Sequence, residues 1–305
     1  MSCTRIHYIN LLLFLFLTIL FSCQKEIEVT LPDYDQKLVI EGSIENGEPA
    51  MVIVSNSVPY FATLDLNTLM NKVLVTDAVV TVTSSTGESE QLQLIYTDQS
   101  PVYIAYVGRN LLGEPGKSYT LKVTHNGQEY SAQTSIPQPV KLDSVWLGFM
   151  IAEDTLPTSR VQITDDANSI DYYQFRVKVH GKKLHDRLWV TSMPVAFNDG
   201  PFNGQTVTFE VTRSNPSSIF TAAMTDEEEE EFYRITYRKG DTIYIKTSMI
   251  DYESYQFWSA MTYGIAVGQN PFMSPAPVPY NIHGKNVIGI WSGYGSTIDT
   301  LYYPE

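Results

Sequence analysis

The 305-residue sequence holds only two cysteines, Cys3 and Cys23, both close to its start. Everything after Cys23 therefore lacks the thiols for a disulfide or a thiolate metal site. Basic clusters are missing as well: 20 Lys and Arg stand against 34 Asp and Glu, for a net charge of −14. A phosphate-binding surface needs a basic stripe, so nucleic acid is excluded as a partner, and so is docking on anionic lipid heads through a basic patch. No apolar run reaches the roughly 20 residues that a helix needs to cross a bilayer. Catalytic signatures are also absent, with neither a His-Glu-x-x-His pair nor a Gly-x-Ser-x-Gly elbow in the chain. His125, His180, His185 and His283 are scattered without metal-ligand spacing. No catalytic residue, no metal and no cofactor is assigned.

What is present begins at the first residues. Arg5, the apolar run from Leu11 to Phe21 and the small Ser22 have the three parts of a secretory signal, so residues 1–22 read as a signal peptide cut after Ser22. Cys23 follows at once. Leu20-Phe21-Ser22-Cys23 resembles the bacterial lipobox, although bulky Phe21 stands where a smaller or β-branched residue is usual. The resemblance implies that Cys23 is acylated, palmitate being a typical chain, and becomes the new N-terminus. Each buried methylene contributes roughly 0.8 kcal/mol, so two or more chains hold a protein on a membrane it does not span. Gln24, Lys25 and Glu26 are similar to the export signal that Bacteroidota lipoproteins use to reach the outer face of the outer membrane. Cutting the leader leaves 283 residues and, with Arg5 gone, a net charge of −15.

The remainder is 38–137 plus 138–305, with a polar lipidated tether at 23–37. Apolar residues are 43% of the chain against 18% charged, enough to fill a core, so global disorder is excluded. Short alternating runs start at Leu38-Val39-Ile40 and Ala50 to Val54, joined by Asn46-Gly47, a strong hairpin signal. Ala78 to Thr83, Leu92 to Tyr96, Val102 to Val107, Tyr119 to Thr124 and Glu129 to Ala132 continue the series between turns. That spacing predicts an immunoglobulin-like or transthyretin-like β-sandwich over 38–137.

Ile136-Pro137-Gln138-Pro139 marks the boundary, because proline fixes φ and cannot donate to a ladder. A second β-rich part follows. Its strands start near Leu142 and Arg160, and Asp171 to Val179 alternates strictly: Tyr173, Phe175, Val177 and Val179 face one way, Tyr172, Gln174, Arg176 and Lys178 the other. Further strands lie at 207–211 and 242–247. One helix is expected near 249–265, capped by Ser248, with Phe257, Met261 and Ile265 on its buried stripe beside Trp258. The glycine- and proline-rich tail is expected to end in an edge strand.

Two acidic stretches invite a cation. Asp226 to Glu231 is a run of consecutive carboxylates that point in several directions, and it reads as a solvated segment. Asp165, Asp166, Asn168 and Asp171 have better spacing but lack the glycine and terminal glutamate of an EF-hand, so they read as a polar turn. Aromatic faces are the most suggestive binding groups, and Trp258, Trp291 and Tyr294 are the candidate ligand-binding residues.

These landmarks, together with Leu38-Val39-Ile40-Glu41-Gly42, Gly116 to Leu121, Asp171-Tyr172-Tyr173, Gly240-Asp241-Thr242 and Asn270-Pro271-Phe272, resemble a family of Bacteroidota outer-membrane lipoproteins known as domain of unknown function 4249. The resemblance covers nearly all of the mature chain. It implies a surface lipoprotein found beside TonB-dependent transporters and supplies no active residues. The expectation is a non-enzymatic binding or accessory module for glycan or peptide capture. An adhesive or structural surface protein is the alternative, and a hydrolase with paired carboxylates ranks below both.

Overall fold

Alternation of apolar and polar residues builds this protein almost entirely from strands. The computed structural model describes residues 35–59, 65, 68–97, 103–149, 157–180, 188–213, 237–268 and 277–305. The signal peptide, Ser22, Cys23, Gln24, Lys25 and Glu26 lie outside the described residues, as do the acidic run 226–231, His185 and Phe272. Among the described residues no helix is long and apolar enough to cross a membrane.

The strands of the first part are β1 (Leu38–Glu45), β2 (Pro49–Asn56), β3 (Val79–Ser84), β4 (Ser89–Gln91), β5 (Gln93–Thr97), β6 (Tyr103–Leu112), β7 (Ser118–His125) and β8 (Gln128–Ser135). Those of the second are β9 (Ser144–Phe149), β10 (Pro157–Thr164), β11 (Tyr172–Val179), β12 (Val190–Thr191), β13 (Phe197–Asn198), β14 (Thr206–Val211), β15 (Thr242–Ile250) and β16 (Val287–Tyr302). Helix α1 (Tyr252–Gly268) joins the last two, and a short π-turn spans Leu69–Val73.

One nine-stranded sheet runs in the order β12-β11-β15-β16-β1-β2-β6-β5, with β13 beside β11. Two smaller sheets cover one of its faces. The four-stranded sheet β4-β3-β7-β8 packs on β1, β2 and β16 through Ile40, Val52, Val54, Val80, Val82, Tyr119, Leu121 and Trp291, all buried. The three-stranded sheet β14-β10-β9 packs on β11 and β15 through Val161, Phe175, Val177, Ile243 and Ile245. Each such side chain contributes about 1.5–3 kcal/mol when it leaves water completely. The first of these packings is a β-sandwich, the fold that the spacing of strands in 38–137 predicts, with β16 from the end of the chain as a further member of its larger sheet.

The tail does not form an edge. β16 is a sixteen-residue strand in the middle of the large sheet. Its first half pairs in parallel with β1, from Leu38 opposite Val287 to Glu45 opposite Tyr294. Its second half pairs with β15, from Ile250 opposite Tyr294 to Thr242 opposite Tyr302. The two parts expected to divide near residue 137 therefore share one sheet, and Gln36–Glu305 forms a single compact unit.

The linker itself explains two glycines of the tail, Gly293 and Gly295. Between the two small sheets, residues 135–140 cross the face of β16 so closely that a Cβ on Gly293 would stand 2.2 Å from the Ser135 carbonyl oxygen. One on Gly295 would stand 2.1 Å from that of Pro137. Thr297 then donates its hydroxyl to Val140 O at 2.7 Å. Glycine in this strand marks a close backbone approach rather than a loop.

Two local expectations need correction. Ser248 does not cap the helix, because β15 stays paired through Ile250 and the Ser248 hydroxyl meets that of Ser296 at 2.8 Å. Asp251 is the cap, its Oδ1 accepting Ser254 N–H at 2.9 Å. The helix face against the sheet is led by Ser254, Tyr255 and Trp258, with Phe257 edge-on to Trp258 at 5.1 Å. In the first hairpin, Gly47 alone adopts positive φ, at 78°, while Asn46 turns its amide to β16 and exchanges hydrogen bonds with the Ser296 backbone at 2.5 and 3.2 Å.

Candidate binding recess

The other face of the large sheet carries the polar half of each alternating strand. Glu41, Ser43 and Glu45 come from β1, Met51 and Ile53 from β2, Arg176 from β11, Lys246 from β15, and Ile290 and Tyr294 from β16. Leu188, Trp189 and Thr191 stand at one side and Trp258 of α1 at the other. Together they enclose a recess of about 460 Å³.

Charge and aromatic surface alternate inside it. Lys246 Nζ lies 2.7 and 2.8 Å from the two carboxylate oxygens of Glu45, and both side chains are largely shielded from solvent, at 10% and 17% exposure. The same ammonium stands 4.8 Å from the Trp189 ring centre. Arg176 lies over Tyr294, its guanidinium carbon 4.5 Å from the ring centre, and donates Nε–H to Gln174 Oε1 at 2.7 Å. The Tyr294 hydroxyl in turn accepts the indole N–H of Trp258 at 3.1 Å. Glu41 is open to solvent yet ringed by protein, and this crowding raises its carboxyl above the ordinary value of 4.5 against the opposing pull of Arg176.

A second concavity of about 650 Å³ opens at the N-terminus of α1, between Asp251, Tyr252, Gln256, Gln133, Tyr280 and His283. Asp251 is spent there on structure: its Oδ2 accepts the Thr134 hydroxyl at 2.5 Å, which itself accepts Gly293 N–H at 2.8 Å. This leaves Glu253 and His283 as the other ionisable groups of the groove besides its tyrosines. The smaller recess instead brings two cations, two carboxylates and aromatic rings to one place, a convergence of fixed polar groups and apolar surface such as ligand sites use.

Of the three aromatic residues singled out from the sequence, Trp258 and Tyr294 line the recess and Trp291 does not. Trp291 is fully buried in the sandwich core, its indole N–H donated to Tyr119 O at 2.9 Å, so it is unavailable to a ligand. It points away from its neighbour because successive strand side chains alternate faces. Glu41, Glu45, Arg176, Lys246 and Trp189 were not anticipated. Alternation places Arg176 on the wet face of β11, but only the pairing of β11, β15, β16 and β1 sets it beside the β1 carboxylates. Among the acidic residues of the turn after β10, Asp165 and Asp171 come together, joined by Asp199 from a distant part of the sequence.

Comparison with known proteins adds a family and little else. The family described as "Domain of unknown function (DUF4249)" matches residues 24–299. No curated protein matches the sequence. Solved structures that match include the chicken interferon gamma receptor alpha chain, 7% identical, covering 90% of this chain and 100% of its own at a TM-score of 0.22. A likeness of that size carries no argument about function.

Proposed function

Because the chain belongs to the DUF4249 family, whose description names no activity, we propose a function from the recess itself: this is a non-enzymatic binding module. The carrying observation is the convergence of Arg176, Glu41, Trp189 and Trp258 around one concavity, with the buried Tyr294 beneath Arg176 as its floor. Aromatic faces offer apolar area to a sugar ring or peptide side chain, while Arg176 and Glu41 offer a fixed donor and acceptor. The ligand class that fits is a glycan or a peptide bearing both polar and apolar groups.

The carboxylates favour binding over hydrolysis. Glu41 and Glu45 are four residues apart on one strand, about 13 Å along the backbone, and Glu45 is committed to Lys246. Glycoside hydrolysis uses a pair about 5–9.5 Å apart with both groups free to act. In this reading the module is held on the outer membrane by lipid on Cys23 and delivers its ligand to a TonB-dependent transporter.

Glycan and peptide arrays probed with the full-length lipoprotein in detergent test the binding claim. A bound class should emerge whose affinity falls at least tenfold in both Arg176→Ala and Trp258→Ala and is unchanged in Tyr302→Ala, an exposed site on β16. No bound class, or binding indifferent to Arg176 and Trp258, overturns it.

A further inference from the structure

A second feature, separate from the recess, is built where two loops meet at the end of the large sheet. Asp165 follows β10, Asp171 precedes β11 and Asp199 follows β13, and one carboxylate oxygen from each lies within 4.8 Å of the other two. Asp165 is 5% exposed and Asp199 not at all. Among the described residues no basic side chain forms an ion pair with any of the three.

Most of their oxygens are already held in place. Asp165 Oδ1 accepts the Tyr173 hydroxyl at 2.5 Å and Oδ2 accepts Gly204 N–H at 2.9 Å. Asp171 Oδ2 accepts the Ser169 hydroxyl at 2.9 Å. Asp199 Oδ2 accepts Asp171 N–H at 3.0 Å, while its Oδ1, wholly buried, has no hydrogen-bond donor among the described residues. A buried carboxylate oxygen without a donor costs free energy unless a positive charge meets it. Two further carboxylates beside it multiply that cost.

We propose that Asp165, Asp171 and Asp199 form a calcium-binding site that clasps the loop before β11 to the loop before β14. The donor set is all hard oxygen, which suits Ca²⁺, and ligands at about 2.4 Å from such an ion lie no more than about 4.8 Å apart. Backbone hydrogen bonds to Asp165 and Asp199 orient the carboxylates from behind, as supporting shells do at metal sites.

The clasp reaches the helix. Tyr172, next to Asp171, stacks on Tyr255 of α1 at 4.8 Å, and Asn198, next to Asp199, donates its amide to the Tyr255 hydroxyl at 2.8 Å. Calcium would therefore stiffen the seat of α1, which carries Trp258 into the recess.

The test uses full-length lipoprotein in detergent, stripped with a chelator and then given Ca²⁺ or Mg²⁺ alone. Calcium should raise the unfolding temperature by several degrees, and Tb³⁺ should show luminescence sensitised by tyrosine, with Tyr173 adjacent to the ion. Asp199→Asn should abolish both effects. If that variant fails to fold, Asp171→Asn, at a half-buried position, should weaken both at least tenfold in ion concentration. The absence of any calcium-dependent shift in the wild-type chain contradicts the site. So does a shift that persists in both variants, which would place the ion on other carboxylates.

Discussion

Lys246 and Glu45 show what a charge on the inner wall of a recess requires. Neither could sit there alone, since an unpaired ion taken out of water costs several kcal/mol. Their mutual contact offsets that cost and fixes both in place. Lys246→Met should therefore destabilise the protein by about 3 kcal/mol, because Glu45 is left shielded and unpaired, whereas adding Glu45→Gln should recover most of the loss. Chemical denaturation of the two variants measures this. Glu41 makes the opposite case, with its carboxyl raised by crowding more than Arg176 lowers it. The folded state then holds the proton more tightly than the unfolded one. Its favourable contribution is complete below the unfolded value and is lost as pH rises through the raised folded value. Glu41→Gln should accordingly unfold at a higher temperature than the wild type at pH 7, and the difference should vanish near pH 4. A constant difference across that range would remove Glu41 from the account.

β16 organises the molecule at the scale of elements, and its glycines are where the sequence misleads. Gly289, Gly293 and Gly295 beside a proline-rich stretch look like a loop ending in an edge strand, because glycine weakens an isolated strand. Their role becomes visible only when the linker at 135–140 is laid across Gly293 and Gly295, and β1, at Ile40, against Gly289. Gly293→Ala should thus be strongly destabilising, by several kcal/mol of overlap with backbone that has nowhere to move. Gly264→Ala in α1 meets nothing within 4 Å and should stabilise by up to about 1 kcal/mol. Thermal unfolding of the pair separates a glycine kept for space from one kept for nothing. Helix α1 was legible from its residue pattern, but its cap was not. Ser248 and Asp251 are both good capping residues, and only the pairing of Ile250 with Tyr294 shows that the strand runs on past the first of them.

At the scale of the whole molecule, local alternation was enough to reveal a mainly β chain and a sandwich begun by the strands of 38–137. It could not reveal that the last strand returns to pair with the first, since residues 38 and 287 are related by no local signal. The recess inherits that limit. Trp258 and Tyr294 stand out as aromatics, while Arg176, Lys246 and the β1 glutamates gain meaning only from the order of strands. Asp199 is likewise invisible beside Asp165 and Asp171 until the loops meet. The central proposal is that a lipid-anchored module captures a ligand for a transporter, and purification of the full-length protein from gently solubilised membranes tests it most directly. The account predicts that mass spectrometry finds one TonB-dependent transporter in near-stoichiometric amount. Recovery of the protein alone, from membranes in which such transporters are abundant, would contradict it.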